Sequence, residues 1–316
     1  MASVVLQTEG LTKRYGTVTA VSDLTLEVHE GEVFGFLGPN GAGKTTSINM
    51  MCGLLKPDAG HVIIHGEHIT NGDVHAKARV GVCPQDIVLW ERLTCLEQLQ
   101  FIGQMYDLSG RDARQRGERL LDELGLAEKR SKQARTLSGG MKRRLNLAMA
   151  LVHDPDIVVL DEPEAGLDPQ SRVKVREFIQ SLAQHKTVIL TTHNMDEAER
   201  LVDRVAIIDQ GRLLVLDTPQ ALKEQVGAGD VIEIGFSASV DEAGADHITR
   251  ALAGHGCEAS FNGDHLITIR ALNAVGTLPA ILATLSTVGV QPDEVRIREN
   301  TLEDVFIQLT GRRLRE

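Results

Sequence analysis

Gly38-Pro39-Asn40-Gly41-Ala42-Gly43-Lys44-Thr45-Thr46 fits the pattern G-x-x-x-x-G-K-[ST], the P-loop. Glycines let several backbone N–H groups close on one anion, and the helix that follows adds its N-terminal dipole. Lys44 is suited to the β- and γ-phosphates of a nucleotide, and the Thr45 hydroxyl to Mg2+. The setting supports the pattern. Glu32-Val33-Phe34-Gly35-Phe36-Leu37 reads as a buried strand before it, and Ser47-Ile48-Asn49-Met50-Met51 as a helix after it. The loop alone specifies NTP binding, not what the energy is used for.

Two further stretches complete such a site. Ile157-Val158-Val159-Leu160 is an apolar strand that ends in Asp161 and Glu162. Asp161 is placed to support Mg2+ near Thr45, and Glu162 to polarise the attacking water as general base. Leu137-Ser138-Gly139-Gly140-Met141 precedes a helix over Lys142 to His153 with an apolar face, so Ser138 and the two glycines build a second anion site at a helix N-terminus. Lys142, Arg143 and Arg144 occupy the first turn, where cations oppose the helix dipole by about 0.3–1 kcal/mol. A bound anion relieves that cost. A solvated basic face explains the charges but not the Ser-Gly-Gly before them.

These groups need a frame. The 316 residues suggest two domains, and the 42% hydrophobic content with only 3% aromatic residues requires an aliphatic core. Residues 1–227 alternate strands and helices in the manner of an α/β P-loop NTPase cassette, with a polar helical subdomain inserted over about 86–136 and a cap at Thr94 followed by Glu97. Residues 228–316 read as a small α+β accessory or regulatory domain in the order β-α-β-β-α-β, the ferredoxin-like order, with a hairpin signal at Asn262-Gly263 and a helix from Asp241. The change of pattern falls at Gly227-Ala228-Gly229. A net charge of −11 speaks against general nucleic-acid binding. The four cysteines form no C-x-x-C pair and imply a reducing compartment. No stretch reaches the roughly 20 apolar residues of a spanning helix, and Met1–Val5 carries no signal-peptide pattern, so a membrane role requires a partner.

Together the P-loop, the Asp161-Glu162 strand end and Leu137–Met141 resemble an ATP-binding cassette (ABC) ATPase subunit over residues 1 to about 225. Leu137–Met141 resembles the cassette signature, whose common form ends in Gln rather than Met. The resemblance implies two cassettes meeting head to tail, with ATP between the P-loop of one and the signature of the other. It also implies further roles. Tyr15 resembles the aromatic stacked on adenine. Gln85 resembles the Q-loop glutamine, near Mg2+ with Thr45 and Asp161 and facing the membrane partner. Asp168 resembles the D-loop residue at the dimer interface, and His193 the switch histidine on the γ-phosphate. Catalysis would rest on Glu162, His193 and Lys44. Two departures stand out: Met141, where only the backbone N–H remains for a nucleotide, and Glu164, a carboxylate close enough to Glu162 to alter its pKa.

Leu137–Arg144 and Thr301-Leu302-Glu303-Asp304-Val305-Phe306-Ile307-Gln308-Leu309-Thr310 resemble the ATPases of daunorubicin-resistance-type exporters. This implies a dimer at the cytoplasmic face of the membrane, and both half-sites in one chain favour a homodimer over a heterodimer. The dimer would drive a separate permease of about six helices that exports a drug, antibiotic, lipid or similar cargo. Import, or a soluble ABC ATPase acting on ribosomes or DNA, are the rival readings. The helical insert is expected to dock the permease, and Ile87-Val88-Leu89-Trp90, with the one tryptophan, reads as interface anchor or as core.

Overall fold

The computed structural model describes residues 3–69, 78–225, 230–237, 240, 242–253, 257–261, 263, 265–271, 274–287 and 290–311. The chain divides into two compact units, with the division between Pro219 and Gln220. The change of pattern expected at Gly227-Ala228-Gly229 lies outside the described residues. The helix Pro219–Gln225 belongs almost wholly to the second unit. Its Leu222 is fully buried and its Lys223 lies 4.0 Å from Glu299.

In chain order the first unit contains β1 (Val4–Tyr15), β2 (Val18–His29), β3 (Val33–Leu37), α1 (Lys44–Met51), β4 (Ala59–Ile64), β5 (Glu67–Ile69) and β6 (Val80–Cys83). There follow α2 (Cys95–Met105), α3 (Gly110–Glu123), α4 (Gly139–Leu151), β7 (Ile157–Asp161), α5 (Pro169–Ala183), β8 (Thr187–Thr192), α6 (Met195–Leu201), β9 (Arg204–Asp209) and β10 (Arg212–Asp217). A six-stranded sheet has the order β10-β9-β3-β8-β7-β6, parallel except for β10. Every residue of β3, β7 and β8 is buried, which is why Val33–Leu37, Ile157–Leu160 and Val188–Leu190 read as apolar runs. The antiparallel sheet β2-β1-β4-β5 shares one core with it, in which Leu6, Leu24, Phe34, Phe36, Ile48 and Ile189 are buried together. Each such side chain contributes about 1.5–3 kcal/mol.

The inserted helices are capped as expected. Thr94 Oγ1 accepts the Glu97 N–H at 3.2 Å, while Glu97 Oε2 accepts the Thr94 N–H at 2.8 Å, a reciprocal capping box on α2. No helix among the described residues is long and apolar enough to cross a membrane. All four cysteines are buried.

The second unit contains α7 (Pro219–Gln225), β11 (Asp230–Gly235), α8 (Glu242–Ala253), β12 (Glu258–Phe261), β13 (Leu266–Ala271), α9 (Ala274–Thr287), β14 (Glu294–Arg298) and α10 (Leu302–Thr310). Its sheet is antiparallel with the order β12-β13-β11-β14, the ferredoxin-like arrangement for this connectivity. Ile232, Ile234, Ile267 and Ile269 alternate onto one face and meet Ile248 and Leu252 of α8 and Ile281 and Leu285 of α9. The expected helix start at Asp241 and the hairpin residue Asn262 lie outside the described residues.

Candidate functional site

Strands β3, β7 and β8 run parallel and in step, pairing Leu37 with Thr192 and Asp161 with Thr191. Their carboxyl ends therefore deliver three loops to one edge of the sheet, where ligands of open α/β sheets bind. The loop after β3 carries Gly38, Pro39, Asn40, Gly41, Ala42 and Gly43 and leads into α1, which begins at Lys44 and contains Thr45 and Thr46. Gly43 has φ +102°, and a Cβ there would lie 2.4 Å from the carbonyl oxygen of Ala20, so no larger residue fits. Lys44 Nζ donates to Gly38 O at 2.7 Å and Pro39 O at 3.3 Å, and stands 3.8 Å from Glu162 Oε1. Burial lowers the Lys44 pKa, while Glu162 and Asp161 pull it back up.

Asp161 and Glu162 occupy the end of β7. Thr45 Oγ1 donates to Asp161 Oδ2 at 3.2 Å, and Thr191 Oγ1 donates to Asp161 Oδ1. The same Thr191 oxygen accepts the Glu162 N–H at 2.9 Å. Glu162 has φ +50°, a left-handed conformation that costs a non-glycine residue about 1–2 kcal/mol and persists only where its surroundings enforce it. That backbone directs a buried carboxylate between Lys44 and His193, whose Nδ1 lies 2.8 Å from Glu162 Oε2. The His193 side chain remains 52% exposed.

The arginines after the signature are not a solvated face. Arg143 is 1% exposed and donates from Nη1 to Pro84 O and Gln85 O, both at 2.8 Å. Its Nη2 donates to Asp161 O at 2.7 Å and Glu162 O at 2.5 Å, and its Nε to Pro163 O at 3.1 Å. Arg144 is also buried, with Nη1 donating to the carbonyls of Leu124 and Gly125. Main-chain carbonyls, rather than a bound anion, thus accommodate these two cations. Glu164 likewise departs from expectation. It is buried against Arg176, with Nη2 to Oε2 at 3.0 Å and Nε to Oε1 at 3.3 Å, so its charge is matched locally. Burial, followed by the nearby Glu164, raises the carboxyl pKa of Glu197.

The residues expected to form the signature and D-loop make a second group. Ser138 caps α4 and its Oγ accepts the Met141 N–H at 3.4 Å, so the one group of Met141 expected to serve a nucleotide is engaged in the cap. Asp168 caps α5, accepting the Ser171 hydroxyl at 2.7 Å and the Ser171 N–H at 3.0 Å, and these bonds hold its carboxyl below the usual range. A Cβ on Gly140 would lie 2.5 Å from Ser171 Oγ, so that glycine brings the signature up to the D-loop, whereas Gly139 has open space around it. Tyr15 closes β1 as an exposed ring 5.9 Å from Lys13 Nζ. Gln85 has an exposed side chain and a carbonyl held by Arg143.

Beyond Gln85 the chain opens onto a groove. A cavity of about 270 Å³ is lined by residues that include Cys52, Leu54, Val88, Trp90, Tyr106 and His153. Val88 is 59% and Trp90 42% exposed, with Phe101 edge-on to the Trp90 ring at 5.1 Å, so these residues are surface rather than core. The His153 ring stacks on Tyr106 at 3.9 Å, and burial lowers its pKa to about 4.

Sequence reasoning did not single out Thr191, Arg143 or Arg176 for these contacts. The available signal for Thr191 was a hydroxyl pair ending an otherwise apolar buried strand. Nothing local separates an arginine that spans two loops from one that faces water.

The family model described as "ABC transporter" matches residues 21–165. The linearmycin resistance ATP-binding protein LnrL of Bacillus subtilis (strain 168) is 38% identical over 99% of this chain and 100% of its own length. A Nod factor export ATP-binding protein I of Ralstonia nicotianae (strain ATCC BAA-1114 / GMI1000) is 40% identical over 99% of this chain and 95% of its own. Among solved structures, an ATP-binding subunit of an ABC transporter superposes with a TM-score of 0.64 at 30% identity, covering 70% of this chain and 92% of its own. A dimeric ATP-binding cassette in a post-hydrolysis state bound to ADP and Pi gives 0.62 at 27% identity, covering 67% of this chain and 98% of its own.

Proposed function

Because the chain belongs to the ABC transporter family as an ATP-binding subunit, we propose that it works as a homodimer at the cytoplasmic face of a membrane. There it drives a separate permease of about six helices that exports a drug, antibiotic, lipid or similar cargo. Subunits of this family hydrolyse ATP to power transport, dimerise and act with membrane permeases. The names of the relatives speak of resistance and of export, which favours export over import here. The observation that carries the reading is the convergence of Lys44, Thr45, Asp161, Glu162 and His193 at the ends of three parallel strands.

In this reading the backbone from Gly38 to Thr46 cradles the phosphates and Lys44 neutralises the outer ones. Thr45 and Asp161, joined at 3.2 Å, are adjacent hard oxygen donors that fit Mg2+, with Gln85 as a further ligand. When bound, that ion screens phosphate charge. Glu162 takes the proton of the attacking water, and His193, on its other oxygen, fixes the carboxylate and faces the γ-phosphate. Tyr15 stacks on adenine. Ser138, Gly139 and Gly140, with Asp168, serve the nucleotide of the partner subunit at the N-terminus of α4. ATP binding closes the dimer because these contacts exist only when two chains meet.

The groove beside Gln85 is the docking surface for the permease in this account, with Trp90 and Val88 as anchors. Affinity capture of the Glu162→Gln chain from detergent-solubilised host membranes, with ATP and Mg2+, tests this. Recovery of one multi-helix membrane protein in about equal amount, lost with Trp90→Glu, is expected. Recovery of ribosomal or DNA-repair proteins without a membrane partner would overturn transport and leave the ATPase standing.

A further inference from the structure

Arg143 has five N–H donors, and five main-chain carbonyls receive them. A guanidinium so buried is costly unless every donor is satisfied, and among the described residues its hydrogen-bond partners are all carbonyls. The carbonyls come from two separate loops. Pro84 and Gln85 follow β6, on the side of the groove, while Asp161 ends β7 and Glu162 and Pro163 follow it, at the candidate catalytic carboxylate. The guanidinium is a rigid plane, so the two loops cannot move independently while all five bonds persist. Glu162 is held in its left-handed conformation from both sides, with its N–H on Thr191 and its carbonyl on Arg143.

We infer that Arg143 is a positioning residue that links the Gln85 segment mechanically to the main chain of Glu162, so that displacement at the groove changes the aim of the general base. The inference rests on Glu162 being that base. Arg143→Lys keeps the charge but replaces a planar five-donor fork by a point charge with three donors, too few to span both loops.

The test compares full-length wild type and Arg143→Lys for ATP affinity, kcat, and amide hydrogen exchange over Gln85–Leu89 with and without ATP. The expected result is an ATP Kd within about twofold of wild type and a kcat lower by roughly tenfold or more, as for a misplaced catalytic group. ATP-induced protection of Gln85–Leu89, present in wild type, should vanish. In a Glu162→Gln background the lysine substitution should add no further loss.

A kcat within about twofold of wild type would overturn the inference. So would an equal further loss in the Glu162→Gln background, which marks general damage. Absence of ATP-induced protection over Gln85–Leu89 in wild type would overturn it with no variant needed. A Glu162→Gln chain that hydrolyses ATP like wild type would instead refute the base assignment, and this inference with it.

Discussion

In the first unit the central strands run parallel, so the loops after β3, β7 and β8 leave from the same edge and meet. In the second unit neighbouring strands run antiparallel, so the loops after β11 and β12 leave from one end of the sheet and the chain after β13 and β14 from the other. Each unit also buries much of an arginine at a strand or helix end, and the two are handled differently. Arg143 in the first unit donates only to carbonyls of two functional loops. Arg298 in the second unit donates to carboxylates, with Asp304 at 2.6 and 3.0 Å and Glu233 at 3.0 Å, and Asp304 in turn forms the capping box of α10 with Thr301. The second cluster closes on itself as a structural tie. The first leaves carboxylates and a lysine aimed at one point. Strand direction decides where chemistry can collect.

Substitutions that separate the two units sharpen this contrast. The largest effect belongs to Glu162→Gln, which should lower kcat by about 10²–10⁴-fold while ATP affinity stays near wild type. Steady-state hydrolysis and nucleotide titration measure both, and a loss of less than about tenfold would remove Glu162 from the centre of the account. Lys44→Ala should raise the ATP Kd by about 10- to 100-fold, the equivalent of a lost hydrogen bond to a charged group. Unchanged affinity in the same titration would contradict the loop assignment. Arg298→Met should destabilise the second unit by about 2 kcal/mol in urea denaturation, because Asp304 loses its partner, yet leave hydrolysis by the isolated chain intact. A tenfold fall in kcat with that variant would break the division of labour between the units.

The smallest effect concerns pH. His153 is held neutral in the fold with a pKa of about 4, below the usual value of 6.5. The unfolded chain therefore takes up a proton first as pH falls below about 6.5, and stability declines between there and pH 4. The partly exposed ring limits the loss to about 1–2 kcal/mol between pH 7 and 5. Denaturation curves at both pH values should show it, and His153→Phe should flatten the difference.

The P-loop, the Asp161-Glu162 strand end and the signature were legible because each is a local string of residue types with a physical reason for its spacing. Strand β7 was legible in the apolar run Ile157–Leu160. Strand β1 was not, because its alternation is broken by register shifts against β2 and its charged residues face outward. The five carbonyls around Arg143 were invisible for another reason. They come from residues up to 59 positions away and from the main chain, which carries no side-chain signature. Glu164 was read only through its closeness to Glu162 in sequence, and its ion pair with Arg176, 12 positions on, left no local sign.

The central claim is that one chain holds two half-sites completed only by a second copy. Light scattering on size-exclusion eluates of Glu162→Gln, with and without ATP and Mg2+, tests it most directly. The account predicts a single chain without nucleotide and a two-chain species at saturating ATP, abolished by Ser138→Arg at the signature. A single chain at saturating ATP would contradict it.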